Sequence, residues 1–293
     1  MSFSDDYIVN PLKYSLSNSK AFLTYIIVSF FPDILAVVFV MVISIVGFLG
    51  IMDSQGLSSR MVNVLLFLII MVIYYIIAIL AALISKGYLV TVIKTTVEGD
   101  SILPKWENWG NLAFKGFSLA IFTFILWLVF ILILMIIGFL SAIFSIIGYS
   151  AGIQSPNLLS FLVMVGLGIS AGITFLMYYV LALSNYATKE RFGAFFEIKT
   201  LSKMMSWKLL GVLITMVVIA GILFVPVIIM YFFTMAFVGN PVLFIIFIVI
   251  TLLLVVVLVG ISSFYLSRCL GIYYKSKLEN KPEFNNIEDN VKI

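Results

Sequence analysis

The sequence predicts an all-α membrane protein with six transmembrane helices in three parallel two-helix units, each unit preceded by a cytoplasmic amphipathic interfacial helix. Three observations predict it. Hydrophobic residues make up 63% of the 293 residues and charged residues 10%, with a mean hydropathy of +1.25, whereas soluble domains carry about 25% charged residues. Six apolar runs each supply the roughly 20 residues that a helix needs to cross about 30 Å of hydrocarbon. The polar connections between them alternate between short, turn-like stretches and longer, basic ones.

Taken in order, the N-terminus MSFSDDYIVNPLK places acids ahead of any base and has no apolar stretch followed by a small-residue cleavage site, so it does not read as a cleavable signal peptide. Asn10 and Pro11 suit the cap and first turn of a short interfacial helix. The apolar runs follow: Ala21 to Gly50, interrupted by Pro32 and Asp33; Met61 to Ser85; Phe117 to Gly148; Leu158 to Ser184; Leu209 to Val238; and Pro241 to Ser267. Within each pair the connection is IMDSQGLSSR, GYSAGIQSPN or GNP, made of the residues that tight turns use. Between pairs lie two polar stretches, Lys86 to Gly116 and Asn185 to Lys208, read as connections on the membrane surface. These bounds define one membrane domain over 1–274, with units 10–85, 86–184 and 185–267, and a disordered, mixed-charge cytoplasmic tail over 275–293.

The charge distribution orients the chain. Of its 17 Lys and Arg residues, Arg60 alone falls on one side of this topology, and short cytoplasmic loops are the ones rich in Lys and Arg. The expected location is therefore the cell membrane, with both termini cytoplasmic. An internal repeat is expected as well. Lys20, Lys115 and Lys208 each stand directly before a long apolar run, and the pairs exit through Ser85 and Tyr88, Ser184 and Tyr186, and Ser263 and Tyr265. Shared lysines and aromatics at membrane entries are also what snorkelling alone requires.

The in-plane segments are read as amphipathic. Leu103 and Pro104 open a helix whose face carries Trp106, Trp109, Ala113 and Phe117, opposite Lys105, Asn108 and Lys115. The later copy places Ile198, Leu201 and Met205 opposite Glu197, Thr200 and Lys203. Trp106, Trp109 and Trp207, with Lys20, Lys115 and Lys208, are the expected interfacial anchors.

Gly87, Tyr88, Gly99, Leu103, Pro104 and Trp106, followed by Trp109 and Gly116, form a series whose spacing resembles the domain of unknown function 4013 family of multi-pass membrane proteins, found largely in archaea. Arg191, Phe192 and Gly193 resemble that family's second polar connection. The resemblance runs from the first span to the sixth. It implies the architecture and carries no established activity.

The composition narrows the chemistry. With no histidine and Cys269 as the single thiol, a His-based triad, a Cys/His zinc site and an intrachain disulfide are all excluded. Glu98, Asp100 and Glu107 are the densest acids, but they flank a turn at Gly99 and no phosphate-cradling GxxxxGK loop is present. No cofactor is expected, and an enzyme is not. Asp33 is the one carboxylate inside an expected span, and such an acid is by default a functional candidate. With Pro32 and Ser29, one turn earlier, it forms the candidate intramembrane polar site. The structural alternative is that Pro32 breaks the helix at Phe31, leaving Asp33 to complement the first turn of a restarted helix near the interface. In the fourth run, Gly168 and Gly172 make a small-xxx-small face suited to close packing within the chain. Tyr74 and Tyr75 need hydrogen-bond partners inside the second span. The expected partners are the bilayer, with anionic headgroups at the cytoplasmic face, and a membrane-protein partner or a second copy; nucleic acid is not expected. Two functions stay open: a non-enzymatic membrane-organising or accessory protein, and a transporter or channel using the Pro32 and Asp33 break.

Overall fold

Unbroken runs of Leu, Ile, Val and Phe leave the backbone no polar neighbours but its own, and a helix satisfies every internal amide and carbonyl. The computed structural model, which describes residues 3–33, 36, 57–150 and 156–279, is helical throughout its described regular structure. A π-helical turn, Asp5–Val9, leads without a break into α1, Asn10–Ser15. Then come α2 over 19–33, α3 (Leu57–Glu98), α4 (Trp109–Ser150) and α5 (Pro156–Lys189). A 3-10 turn, Phe192–Phe196, precedes α6 (Ile198–Met204), α7 (Trp207–Ala236) and α8 (Pro241–Glu279). Among the described residues five helices, α3, α4, α5, α7 and α8, are long and apolar enough to cross a membrane. Most of the first expected run, Ala21 to Gly50, lies outside the described residues, as do 51–56 and 151–155 of the first two turn connections. The third connection is a cap: the Asn240 side-chain oxygen accepts from the Leu243 amide at 3.3 Å, and Pro241 opens α8.

The chain differs from its sequence reading chiefly between the long helices. The stretch Lys86 to Gly116 is largely helix, because α3 continues through it to Glu98 and α4 has begun by Trp109. Tyr88, Val92, Ile93 and Thr96 recur at helical spacing and are all buried, which carries the helix past Ser85. It stops at Gly99, whose φ of 103° suits a residue without a Cβ. There the Gly99 amide donates to Thr96 O at 3.1 Å and the Asp100 amide to Thr95 O at 2.9 Å, the paired bonds of a Schellman cap. Leu103 and Pro104 do not open a helix: 99–108 is irregular. Asn10 does not cap α1, because the chain is already helical ahead of it. In α6 the buried face is Leu201 and Met204, with Ile198 exposed, so the inward face is rotated from the expected Ile198, Leu201 and Met205. Lys275 begins no disordered tail; α8 runs on to Glu279, and 280–293 lie outside the described residues.

The chain divides into two compact units. The first takes the described residues of Met1–Phe117 and Ile214–Ile272, the second those of Ser118–Leu213 and Tyr273–Ile293. In the first, Tyr14, Ala21, Phe22, Tyr25, Tyr88, Val92, Leu103, Leu112 and Phe264 form one buried cluster, with the Tyr25 and Phe264 rings 4.7 Å apart. Here α3 and α4 meet backbone to backbone. A Cβ on Gly87 would lie 1.8 Å from Leu112 O, and one on Gly116 would lie 1.8 Å from Leu83 O. In the second unit Phe195 is sandwiched, 4.1 Å from Phe122 and 4.2 Å from Tyr186 in near-parallel stacks. Among the described residues Gly168 and Gly172 pack against no close neighbour, since a Cβ on either meets nothing within 4 Å. Along the long helices large apolar side chains such as Phe124, Leu132, Met135 and Phe139 of α4 are exposed, far beyond the apolar patches that soluble monomers present.

The Gly116 contact is directly testable. Gly116→Ala drives a methyl into the Leu83 carbonyl and is expected to destabilise the protein by about 3 kcal/mol, read as a lowered melting temperature in detergent. Gly168→Ala, facing open space, is expected to melt with the parent.

Candidate functional site

Where a long helix ends, the next segment must find partners for its backbone groups, and in the first unit Tyr88 supplies one. Its ring is fully buried beneath the 99–108 link, and its hydroxyl donates to Pro104 O at 2.7 Å. Trp106 stacks on it at 4.1 Å, 9° from parallel, and the Trp106 indole N–H donates to Ala21 O at 3.0 Å. Leu103 is buried in the same cluster, its amide donating to Ser17 Oγ at 3.0 Å and its carbonyl accepting from Asn18 Nδ2 at 3.3 Å. Four residues of the family-like series, Tyr88, Leu103, Pro104 and Trp106, thus meet in one place, and its two glycines shape the backbone leading there. Gly87 allows the helix crossing, Gly99 turns the chain back, and Leu103, Pro104 and Trp106 close over Tyr88.

The same unit holds its N-terminal segment in a related way. The Tyr265 hydroxyl donates to Tyr7 O at 2.9 Å, and Cys269 Sγ lies 3.5 Å from the same carbonyl. The Arg268 guanidinium sits 4.3 Å over the Tyr14 ring and donates to Thr96 Oγ1 at 3.1 Å and to the Asp100 carbonyl. Burial pushes the Tyr14 hydroxyl up from its ordinary pKa, with Thr95 and Arg268 acting in the opposite direction.

In the second unit Asn185 is fully buried. Its Nδ2 donates to Ala194 O at 2.7 Å and to Glu197 Oε2 at 3.2 Å, while its Oδ1 accepts from the Tyr274 hydroxyl at 2.6 Å. Tyr178 donates to Phe195 O at 2.8 Å and Tyr273 to Met204 O at 2.7 Å. Glu197 pairs with Lys189 and, at 2.6 Å, with Arg191. Lys189 above all, joined by Arg191 and Asn185, holds the Glu197 carboxyl down at about 2 despite partial desolvation.

Other sequence-predicted residues are not brought together. Helix α2 runs through Phe31 and Pro32 to Asp33 and does not break at Phe31; a proline removes one donor, and neighbouring side chains in a membrane helix can compensate for it. Pro32 is buried and Asp33 exposed. No hydrogen bond joins Ser29 to Asp33 among the described residues. Of the expected anchors, Lys20 and Lys208 are exposed, and Trp109 and Trp207 project with 46% and 87% of their surface free. Trp106 and Lys115 are held within protein; the Lys115 ammonium lies 3.5 Å from Thr91 Oγ1. Asn185, Tyr274, Tyr7 and Arg268 went unread in the sequence because their partners are backbone carbonyls or distant side chains. The Ser and Tyr pairs at the helix exits were the available signal.

Tyr88→Phe leaves the Pro104 carbonyl without its donor and is expected to cost about 1 kcal/mol, measured by thermal melting. Glu197 contributes pH-dependent stability. Because its folded pKa of about 2 lies below the ordinary 4.5, that stability is present above the ordinary value and lost as pH falls through the folded one. The melting-temperature advantage of the parent over Glu197→Gln is therefore expected to be full near neutral pH and to shrink progressively below about pH 4.5.

Comparison with known proteins places the chain. Residues 70–235 match the family described as protein of unknown function DUF4013, a stretch that runs from α3 into the end of α7. The uncharacterized protein MJ1189 of Methanocaldococcus jannaschii is 28% identical, over 93% of this chain and 96% of its own length. The uncharacterized protein MJ0233 of the same organism is also 28% identical, over 94% of this chain and 99% of its own length. No solved structure matches. With the Gly, Tyr and Trp series inside the matched stretch, the chain belongs to the DUF4013 family of proteins of unknown function.

Proposed function

We propose that this chain is a non-enzymatic integral membrane protein that organises or accompanies other membrane components, with both termini in the cytoplasm and its basic helix ends at the cytoplasmic headgroups. One observation carries the reading. Within each unit, polar side chains, Tyr88, Trp106 and Tyr265 in the first and Asn185, Tyr273 and Tyr274 in the second, are engaged in holding the chain's own links and neighbouring segments. Beside them, Trp109, Phe114, Phe117 and Trp207 stand exposed. Side chains engaged internally give rigidity, and exposed aromatics at helix starts give a surface for lipid or for another membrane protein. Lys199 and Lys203, exposed on α6 opposite buried Leu201 and Met204, support an amphipathic segment at the interface. The burial of Tyr88, Tyr186 and Tyr265, one at each expected pair exit, supports an ancestral duplication of two-helix units.

The reading is tested by purification from native membrane in mild detergent. A stoichiometric membrane-protein partner or a second copy is expected, and Trp109→Ala with Trp207→Ala is expected to reduce its recovery without lowering the melting temperature. Trp106→Ala is unsuitable because that ring belongs to the core. Recovery of monomer alone would count against the proposal. Solute or ion flux in proteoliposomes that Asp33→Asn abolishes would replace it with transport.

A further inference from the structure

We infer that a cleft in the first unit, walled by Asn18, Lys20, Thr24, Lys105, Trp106 and Glu107, binds the phosphodiester headgroup of an anionic lipid. The cleft encloses about 440 Å³, within the range of small-ligand sites. Most of its polar wall is already engaged. The Trp106 indole N–H donates to Ala21 O, Asn18 Oδ1 accepts from the Ala21 amide, Asn18 Nδ2 donates to Leu103 O, and Thr24 Oγ1 donates to Lys20 O. These bonds fix the shape of the cleft and leave three charged groups to meet a ligand: the ammoniums of Lys20 and Lys105 and the carboxylate of Glu107, all on exposed side chains. None of the three is in an ion pair among the described residues.

The charge matches a monoanion. Two lysines and one glutamate leave one net positive charge, and the first turn of α2 adds the positive pole of its dipole and amides with no intrahelical acceptor. Lys20 stands in that first turn, where a cation is disfavoured by the dipole unless an anion lies alongside. A phosphodiester, singly charged, meets this arrangement better than a doubly charged phosphomonoester.

The surface below the cleft selects a lipid over a soluble phosphate. Leu23, Ile27 and Phe31 follow Lys20 on α2 at spacings of three, seven and eleven residues, which places them on its face, and all three are exposed. They form an apolar track leading from the cleft along the helix, suited to a hydrocarbon chain attached to the bound headgroup. The inference rests on the proposed placement of the basic helix ends at the headgroups, and it deepens that reading by naming a site and a ligand class.

The test is native mass spectrometry of the full chain in detergent, titrated with dioleoyl phosphatidylglycerol, with phosphatidylcholine and free glycerol phosphate as separate arms. One saturable phosphatidylglycerol adduct is expected. Lys20→Gln with Lys105→Gln should weaken it about thirtyfold, Lys20→Arg with Lys105→Arg should retain it, and Lys199→Gln with Lys203→Gln on α6 should leave it unchanged. Equal loss in the α6 pair, unchanged affinity in the cleft pair, equal binding of phosphatidylcholine, or competition by glycerol phosphate at the lipid's own concentration each overturns the site. If the cleft pair fails to fold, Glu107→Arg keeps both lysines and must tighten binding; unchanged or weaker binding overturns the inference. Failure here leaves partner recovery in the purification experiment unaffected, so the two proposals fall separately.

Discussion

A backbone carbonyl or amide left without a partner beside hydrocarbon costs several kcal/mol, and the places where this chain stops being a regular helix are built to avoid that cost. Within each unit tyrosine hydroxyls do the work. Tyr88 and Tyr265 donate to carbonyls of the 99–108 link and of the N-terminal segment. Tyr178 and Tyr273 donate to carbonyls of the segments around α6. Tyrosine suits the task because its ring adds apolar burial and its hydroxyl reaches a carbonyl that a helix amide cannot. The stacks of Trp106 on Tyr88 and of Phe195 on Tyr186 fill the space beside those bonds.

Charged groups near these links follow the same logic. Glu197 is held by Lys189, Arg191 and the buried Asn185 amide, and Arg268 by Thr96, the Asp100 carbonyl and the face of Tyr14. A partly buried charge is tolerable when it is paired and hydrogen-bonded. Lys20 and Lys105, which meet no such partners among the described residues, stand at the surface instead, and this division between engaged and open polar groups shapes the functional proposals.

Glycine separates into two uses. Gly87 and Gly116 permit a helix crossing in which carbonyls occupy the space that side chains would need. Gly168 and Gly172 have the spacing that sequence reading associates with such a crossing, yet among the described residues they meet open space. The crossing uses one glycine from each helix and not a spaced pair on one helix.

The sequence by itself determined the solvent and the scaffold. Apolar length dictated the long helices, Asn240 and Pro241 marked their turn and cap, and the Gly, Tyr, Leu, Pro and Trp series singled out the residues that assemble in the first unit. These signals are local, written in hydropathy and in the backbone needs of Gly and Pro. What only the tertiary structure decided is where α3 ends and what 99–108 becomes. LPKWENW carries a helical pattern, but Ser17 and Asn18, more than 80 residues away in the chain, bind the Leu103 backbone and hold it irregular. Long-range hydrogen bonds to main-chain atoms outweigh local propensity and leave no residue-type signature, so they cannot be read before the chain folds back on itself.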